Sequence, residues 1–278
     1  MKLETVKKEF VSKLAITYPN EEINSLFKIL CLEYLDLCPS QLLLSKDDLI
    51  SRVQLDWFSE VIVRLLNEEP IQYILSKTSF YGLDIKCNPS ALIPRPETEE
   101  LVDWILKSEK NRISILDIGT GSGCISVSLA KNNKDYSVSA LDVSKSALDL
   151  AEYNALSNKV NINFINADIL EYNSDIKYDL IVSNPPYVRN LEKKKMQNNV
   201  LNFEPELALF VEDNDPLVFY RAILEFANFN LIEKGKIYFE INEYLFNDIK
   251  ELLISFGYNK IELREDAFGK LRFARAVK

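Results

Sequence analysis

Only seven glycines occur in the 278 residues, and three of them fall in one five-residue window, Gly119-Thr120-Gly121-Ser122-Gly123. The run before it, Ile113-Ser114-Ile115-Leu116-Asp117-Ile118, has the apolar, β-branched content of a buried strand, and Ile125 to Lys131 reads as a helix. Glycines at a strand-to-helix junction let the backbone turn sharply and approach a ligand with no Cβ in the way. An ordinary tight turn seldom needs three. The window commits the chain to an α/β unit with a ligand loop at the carboxyl end of its first strand.

The alternation continues downstream. Ser137 to Val143, Ile162 to Ala167, Tyr178 to Val182 and Lys236 to Ile241 read as strands. Helices are predicted from Ser144 to about Leu156, Pro216 to Ile232 and Tyr244 to Phe256, and Lys260 to Arg264 with Leu271 to Val277 as a hairpin. This order predicts a Rossmann-like α/β sheet, mostly parallel, with helices on both faces. Upstream the pattern is helical: Leu26, Ile29 and Leu30, then Leu55, Phe58, Ile62 and Leu65, recur at three- and four-residue steps. Ser45 or Asp47 is expected to cap one of these helices, and Ser51 or Asp56 another. Phe80-Tyr81-Gly82-Leu83 carries a hairpin signal. The expected division is a helical N-terminal domain over 1–75, a linking hairpin over 76–90 and a catalytic domain over 91–278.

Charge and residue types narrow the chemistry. The net charge of −9 argues against a broad nucleic-acid footprint, so no stable nucleic-acid binding is expected. The chain has no histidine, which removes imidazole bases, Ser-His-Asp triads and histidine-ligated metals together. Cys31, Cys38, Cys87 and Cys124 are far apart in sequence and read as reduced thiols, so no metal is expected. No apolar run approaches the roughly 20 residues of a membrane span, and Met1 to Lys8 lacks the apolar core of a secretory signal. A cytoplasmic monomer is expected.

The loop itself excludes two ligands. A dinucleotide fingerprint has its third glycine at the sixth position, where Cys124 stands, and no Lys-Ser or Lys-Thr follows as in a nucleoside-triphosphate loop. The acids at successive strand ends fit S-adenosylmethionine. Asp117 can hold the loop amides or the amino group of a methionine moiety. Asp142 suits two ribose hydroxyls, by the logic that places an acid there in dinucleotide folds. Asp168 can reach an adenine edge, and Ile169 can pack on the ring face.

Asn184-Pro185-Pro186-Tyr187 then stops the fourth strand. Neither proline can donate to a sheet ladder, and proline holds the preceding residue extended. The Asn184 side-chain oxygen and the Pro185 carbonyl become two acceptors fixed close together. Such a pair can take both hydrogens of an NH2 group and aim its lone pair at an electrophile. With no strong base in the chain, catalysis is expected to be orientation and electrostatics.

With Ile93-Pro94-Arg95-Pro96-Glu97-Thr98-Glu99, the glycine window, Asn184-Pro185-Pro186-Tyr187 and Glu204-Pro205-Glu206-Leu207-Ala208-Leu209 taken together, the chain from about Glu69 onward resembles the HemK/PrmC family of class I S-adenosylmethionine-dependent methyltransferases. The resemblance implies a seven-stranded catalytic sheet, an N-terminal domain that docks peptide chain release factors, and methylation of the glutamine in their Gly-Gly-Gln loop. It places Gly119, Thr120, Gly121, Ser122, Gly123, Asp142 and Asn184 on the cofactor, and Asn184, Pro185, Pro186 and Tyr187 on the glutamine, with Tyr187 walling its apolar stem. The chain departs from the family at Ser76, at Val211 to Asp215 and at Asn242-Glu243-Tyr244, where glycines are usual, which predicts altered loop geometry. Rival expectations are glutamine methylation of a ribosomal protein, adenine methylation of DNA, and a cofactor-binding scaffold without activity.

Overall fold

In the computed structural model, which describes residues 1–278, the chain divides into two units. The first holds Met1–Ser76 together with Asn198–Phe203, and the second holds Lys77–Gln197 and Glu204–Lys278.

The first unit is helical: α1 (Leu3–Leu14), α2 (Asn20–Tyr34), α3 (Pro39–Leu44), α4 (Arg52–Leu66) and α5 (Ile71–Leu75). Their apolar stripes meet in a core where Phe27 contacts Phe10 and Phe58 at ring-centroid distances of 5.3 and 5.7 Å. Ser51 caps α4 in a reciprocal box with Gln54, its hydroxyl accepting from the Gln54 amide and its own amide donating to Gln54 Oε1. Neither Ser45 nor Asp47 caps the start of an α-helix; Ser45 instead closes α3. They form a 3-10 turn after α3, because the chain does not re-enter a helix until Arg52. Ser76 ends α5 in the left-handed region at φ +57°, the conformation a glycine adopts at no steric cost. The other two departures from the family have no left-handed residue, so their loops make no demand for glycine.

The second unit opens on an antiparallel hairpin, β1 (Lys77–Phe80) and β2 (Leu83–Lys86), turned at Tyr81-Gly82. Both turn residues have positive φ, as the tight two-residue hairpin turn requires. The elements that follow are α6 (Pro96–Ser108), β3 (Ser114–Ile118), α7 (Cys124–Asn132), β4 (Ser137–Asp142), α8 (Lys145–Ser157), β5 (Asn163–Asn166) and β6 (Tyr178–Ser183). After them come β7 (Val188–Arg189), α9 (Asn198–Phe203), which groups with the first unit, β8 (Phe210–Val211), α10 (Val218–Asn230) and β9 (Leu231–Glu240). Helix α11 (Phe246–Ser255) leads to β10 (Asn259–Glu265) and β11 (Leu271–Val277).

Seven strands form one sheet in the order β10-β11-β9-β6-β3-β4-β5. Neighbours from β5 to β9 are parallel, and β11 runs antiparallel between β9 and β10. This is the predicted Rossmann-like sheet, with apolar cores on both faces. Chain order reverses between β3 and β6, which opens a crevice beyond their carboxyl ends. The pair β7 and β8 was not foreseen, since two residues are too few to show a period. No helix is long and apolar enough to cross a membrane.

Candidate active site

The crevice is a cavity of about 1120 Å³, open mouth included, lined by Gly119 to Ser122, Asp142, Asp168, Ile169, Asn184, Pro185 and Pro186 among others. The two sequence signals, at Gly119 to Ser122 and Asn184 to Pro186, therefore face one space although they are far apart in the chain. Three glycines hold left-handed backbone there: Gly119 at φ +71°, Gly121 at +55° and Gly123 at +78°. The amides of Gly119 and Thr120 donate to the Leu141 carbonyl at 2.8 and 3.0 Å, pinning the loop to β4.

Asp117 is fully buried behind the loop and does not line the cavity. Its Oδ2 accepts from the Thr120 hydroxyl at 2.6 Å and the Ser126 amide at 3.2 Å. Burial pushes its carboxyl up to about 6, against those two hydrogen bonds. Oδ2 thus holds the loop through Thr120, while the buried Oδ1 has no protein partner. Gly123 also stands off the cavity. A Cβ there lies 2.9 Å from Ala151 Cβ and 3.2 Å from its Cα, so this glycine lets α7 approach α8. Gly123→Ala is expected to cost about 2–4 kcal/mol, from left-handed backbone strain plus overpacking. Gly119→Ala meets no atom within 4 Å and is expected to cost only about 1 kcal/mol. Equilibrium urea unfolding of the two variants checks the difference.

Asp142 ends β4 and is 9% exposed. Its Oδ2 accepts the Gly121 amide at 2.8 Å and its Oδ1 the Ser144 amide at 2.9 Å. Burial raises its pKa against these backbone donors. Each oxygen keeps a lone pair, so the carboxylate can still accept from two neighbouring hydroxyls. Asp168 is exposed at the rim, with Oδ1 accepting the Leu170 amide at 3.0 Å, and Ile169 is half-buried beside it. Apolar walls come from Ile118, Leu141, Ala147 and Ile169. A diol acceptor, a glycine cradle open to close approach and an apolar slot make a donor set that fits S-adenosylmethionine.

At the opposite wall the Asn184 corner is tied down from behind. Asn184 Nδ2 donates to Thr98 Oγ1 at 3.5 Å, and Thr98 Oγ1 donates to Glu240 Oε2 at 2.7 Å. Tyr187 donates to Glu240 Oε1 at 3.0 Å. The Tyr187 ring is half-buried and absent from the cavity wall, so the structure places it as a prop of the corner. Burial and then the Glu240 charge raise its pKa, which keeps the phenol neutral. Helix α6 starts at Pro96 with Arg95 at its cap position, because proline suits the first helical position. Thr98 then lies inside the first turn, and its hydroxyl is free for the corner.

Sequence reasoning missed four supports of the site. Thr98 and Glu240 are two; an acid closing the apolar run Ile237-Tyr238-Phe239 was the available signal, since a buried charge requires partners. Glu204, also buried, accepts from Arg95 Nη2 at 2.6 Å and from the Ile93 amide at 3.0 Å, which explains the rigid prolines around Arg95. Asn154 on α8 donates to the Ser122 carbonyl at 2.8 Å and bonds Lys86 of the hairpin in both directions. An asparagine inside a helix carries no such signal in sequence.

Comparison with known proteins agrees with this geometry. Residues 97–204 match the Methyltransferase small domain family model, and residues 8–75 match the PrmC N-terminal domain. A release factor glutamine methyltransferase of Flavobacterium psychrophilum is 47% identical over 99% of both chains. That of Bacteroides thetaiotaomicron is 42% identical over 93% of this chain and 94% of its own. A methyltransferase structure from Pyrococcus furiosus shares the fold with a TM-score of 0.54, at 22% identity over 79% of this chain and 98% of that one. Identity on this scale along the whole length, with the loop and the corner on one cavity, makes the chain a member of the release factor glutamine methyltransferase family, enzymes that use S-adenosylmethionine.

Proposed function

We propose that the protein transfers a methyl group from S-adenosylmethionine to the side-chain amide nitrogen, N5, of the glutamine in the Gly-Gly-Gln motif of peptide chain release factors. The observation that carries the reading is the Asn184-Pro185 corner facing the same cavity as the glycine loop and Asp142. Relatives named release factor glutamine methyltransferase, 35–47% identical over most of the chain, supply the substrate.

An amide nitrogen is a poor nucleophile because its lone pair is delocalised into the carbonyl. When bound, S-adenosylmethionine supplies an activated methyl on a sulfonium. The residues of the chain have to present the nitrogen. Asn184 Oδ1 and the Pro185 carbonyl accept the two amide hydrogens, which turns the lone pair toward the cofactor end of the cavity. With the cofactor held by the glycine loop and Asp142, its sulfonium would supply the methyl and leave as the neutral thioether, and the surplus proton of the nitrogen would pass to water. No side-chain base is needed, in keeping with a chain that has no histidine.

The first unit is assigned to release factor docking. Supporting this are its match to the PrmC N-terminal domain and the exposed apolar side chains Leu43, Leu44, Leu49 and Val53. Release factors place the reaction in the cytoplasm. Incubation with methyl-labelled S-adenosylmethionine and, separately, a release factor, ribosomal protein and DNA tests the assignment. Label on the release factor glutamine is expected, and label confined to either other substrate refutes it.

A further inference from the structure

We infer that Thr98 and Glu240 are positioning residues that set the donor–acceptor polarity of Asn184, so that its oxygen and not its NH2 meets the substrate. The inference rests on the reading that Asn184 accepts a hydrogen from the substrate nitrogen.

The argument begins at Glu240, which ends β9 and is 2% exposed. Its two oxygens each take a hydroxyl, Oε2 from Thr98 and Oε1 from Tyr187. A carboxylate can only accept, and a threonine hydroxyl has a single proton. With that proton given to Glu240, Thr98 Oγ1 has only lone pairs left for Asn184. The group of Asn184 that can answer them is its NH2, at 3.5 Å. An amide whose nitrogen is held in this way leaves Oδ1 as the free end. The contact is long, so it adds little energy, but it decides direction. The reversed amide puts NH2 against the substrate NH2, donor against donor, and the acceptor pair with the Pro185 carbonyl is lost.

Protonation of Glu240 runs the chain backwards. The acid proton is then donated to Thr98, the Thr98 proton turns to Asn184, and Oδ1 is drawn away from the substrate. Burial raises the pKa of Glu240, with Thr98, Tyr187 and Arg272 opposing the rise. The titratable and charged groups facing it are Arg272 on β11, Glu97 on α6, Tyr187, Tyr220 on α10 and Cys124 on α7. Only Arg272 among them carries a positive charge. Activity is therefore expected to fall on acidification as this carboxylate takes up its proton.

The test compares the wild type with T98V and T98S, measuring kcat across the acid range, S-adenosylmethionine Kd and melting temperature. Valine is nearly isosteric but has no hydroxyl, so T98V is expected to lose about 10- to 100-fold in kcat, the scale of a misoriented catalytic group. Its cofactor Kd is expected to match wild type, and its melting temperature to fall by a few degrees because the buried Glu240 loses one of its two hydroxyl donors. T98S keeps the hydroxyl and is expected within about threefold of wild type. The acid limb of kcat is expected in wild type and T98S and absent from T98V, where Asn184 no longer senses Glu240. Full kcat in T98V, an unchanged acid limb in T98V, or equal damage in T98S overturns the inference. A wild type that labels ribosomal protein or DNA instead refutes only the substrate assignment, and T98V is then read on that substrate. A wild type that labels no NH2-bearing substrate overturns both.

Discussion

Asn184→Ala is expected to slow single-turnover methylation of a release factor by on the order of 10²–10³-fold, the loss seen when one fixed polar partner of a reacting group is removed. The side chain lines the cavity at the wall proposed for the substrate, and Asp142, the proposed diol acceptor for the cofactor, stands on a different strand end. Binding of S-adenosylmethionine should therefore stay within a few fold of wild type, which isothermal titration measures directly. The release factor KM should also change little, because most of a protein–protein contact lies outside one amide. A loss confined to kcat marks an interaction made in the transition state. Wild-type single-turnover rates in Asn184→Ala defeat the assignment of this corner as the catalytic centre.

Asp142→Ala is expected to do the opposite. It removes the carboxylate proposed to accept two ribose hydroxyls, worth roughly 1.5–3 kcal/mol for each charge-assisted bond. It also releases the amides of Gly121 and Ser144, so the loop loses a tie to β4. Cofactor Kd should rise about 10²-fold or more, while kcat at saturating cofactor recovers to within about tenfold of wild type. Asp142→Asn retains one acceptor oxygen and should be milder. A cofactor Kd within twofold of wild type in Asp142→Ala places the ribose elsewhere. Together the two substitutions separate the walls of the cavity, one acting on rate and the other on affinity.

Much of this was legible in the sequence, for physical reasons that can be named. Strands β3 and β6 are buried on both faces and so read as apolar runs, and the glycine window marks a junction whose three glycines all hold left-handed backbone. Register with distant strands leaves no such trace. The expected strand at Lys236 begins at Leu231, because the pairing with β6 carries an irregularity that only the folded sheet reveals. The site was legible where a residue's chemistry faces the cavity, as with Asp142 and Asn184. Motif position alone did not distinguish lining from bracing: Asp117, Gly123 and Tyr187 are absent from the cavity lining. The residues that brace the site, Thr98, Glu240 and Asn154, come from α6, β9 and α8, far away in sequence. Their partners are set by topology, which a linear reading cannot supply.

Glu240, on which the corner leans, sits opposite Phe273 of β11 in the sheet. Strand β11 is the last of the seven to be synthesised, yet it is inserted between β9 and β10 and closes the ladder beside that glutamate. Until β11 takes its place, β9 is a bare edge and Glu240 has no neighbour on that side. The footing of the Asn184 corner is therefore completed by the last strand of the sheet to be made.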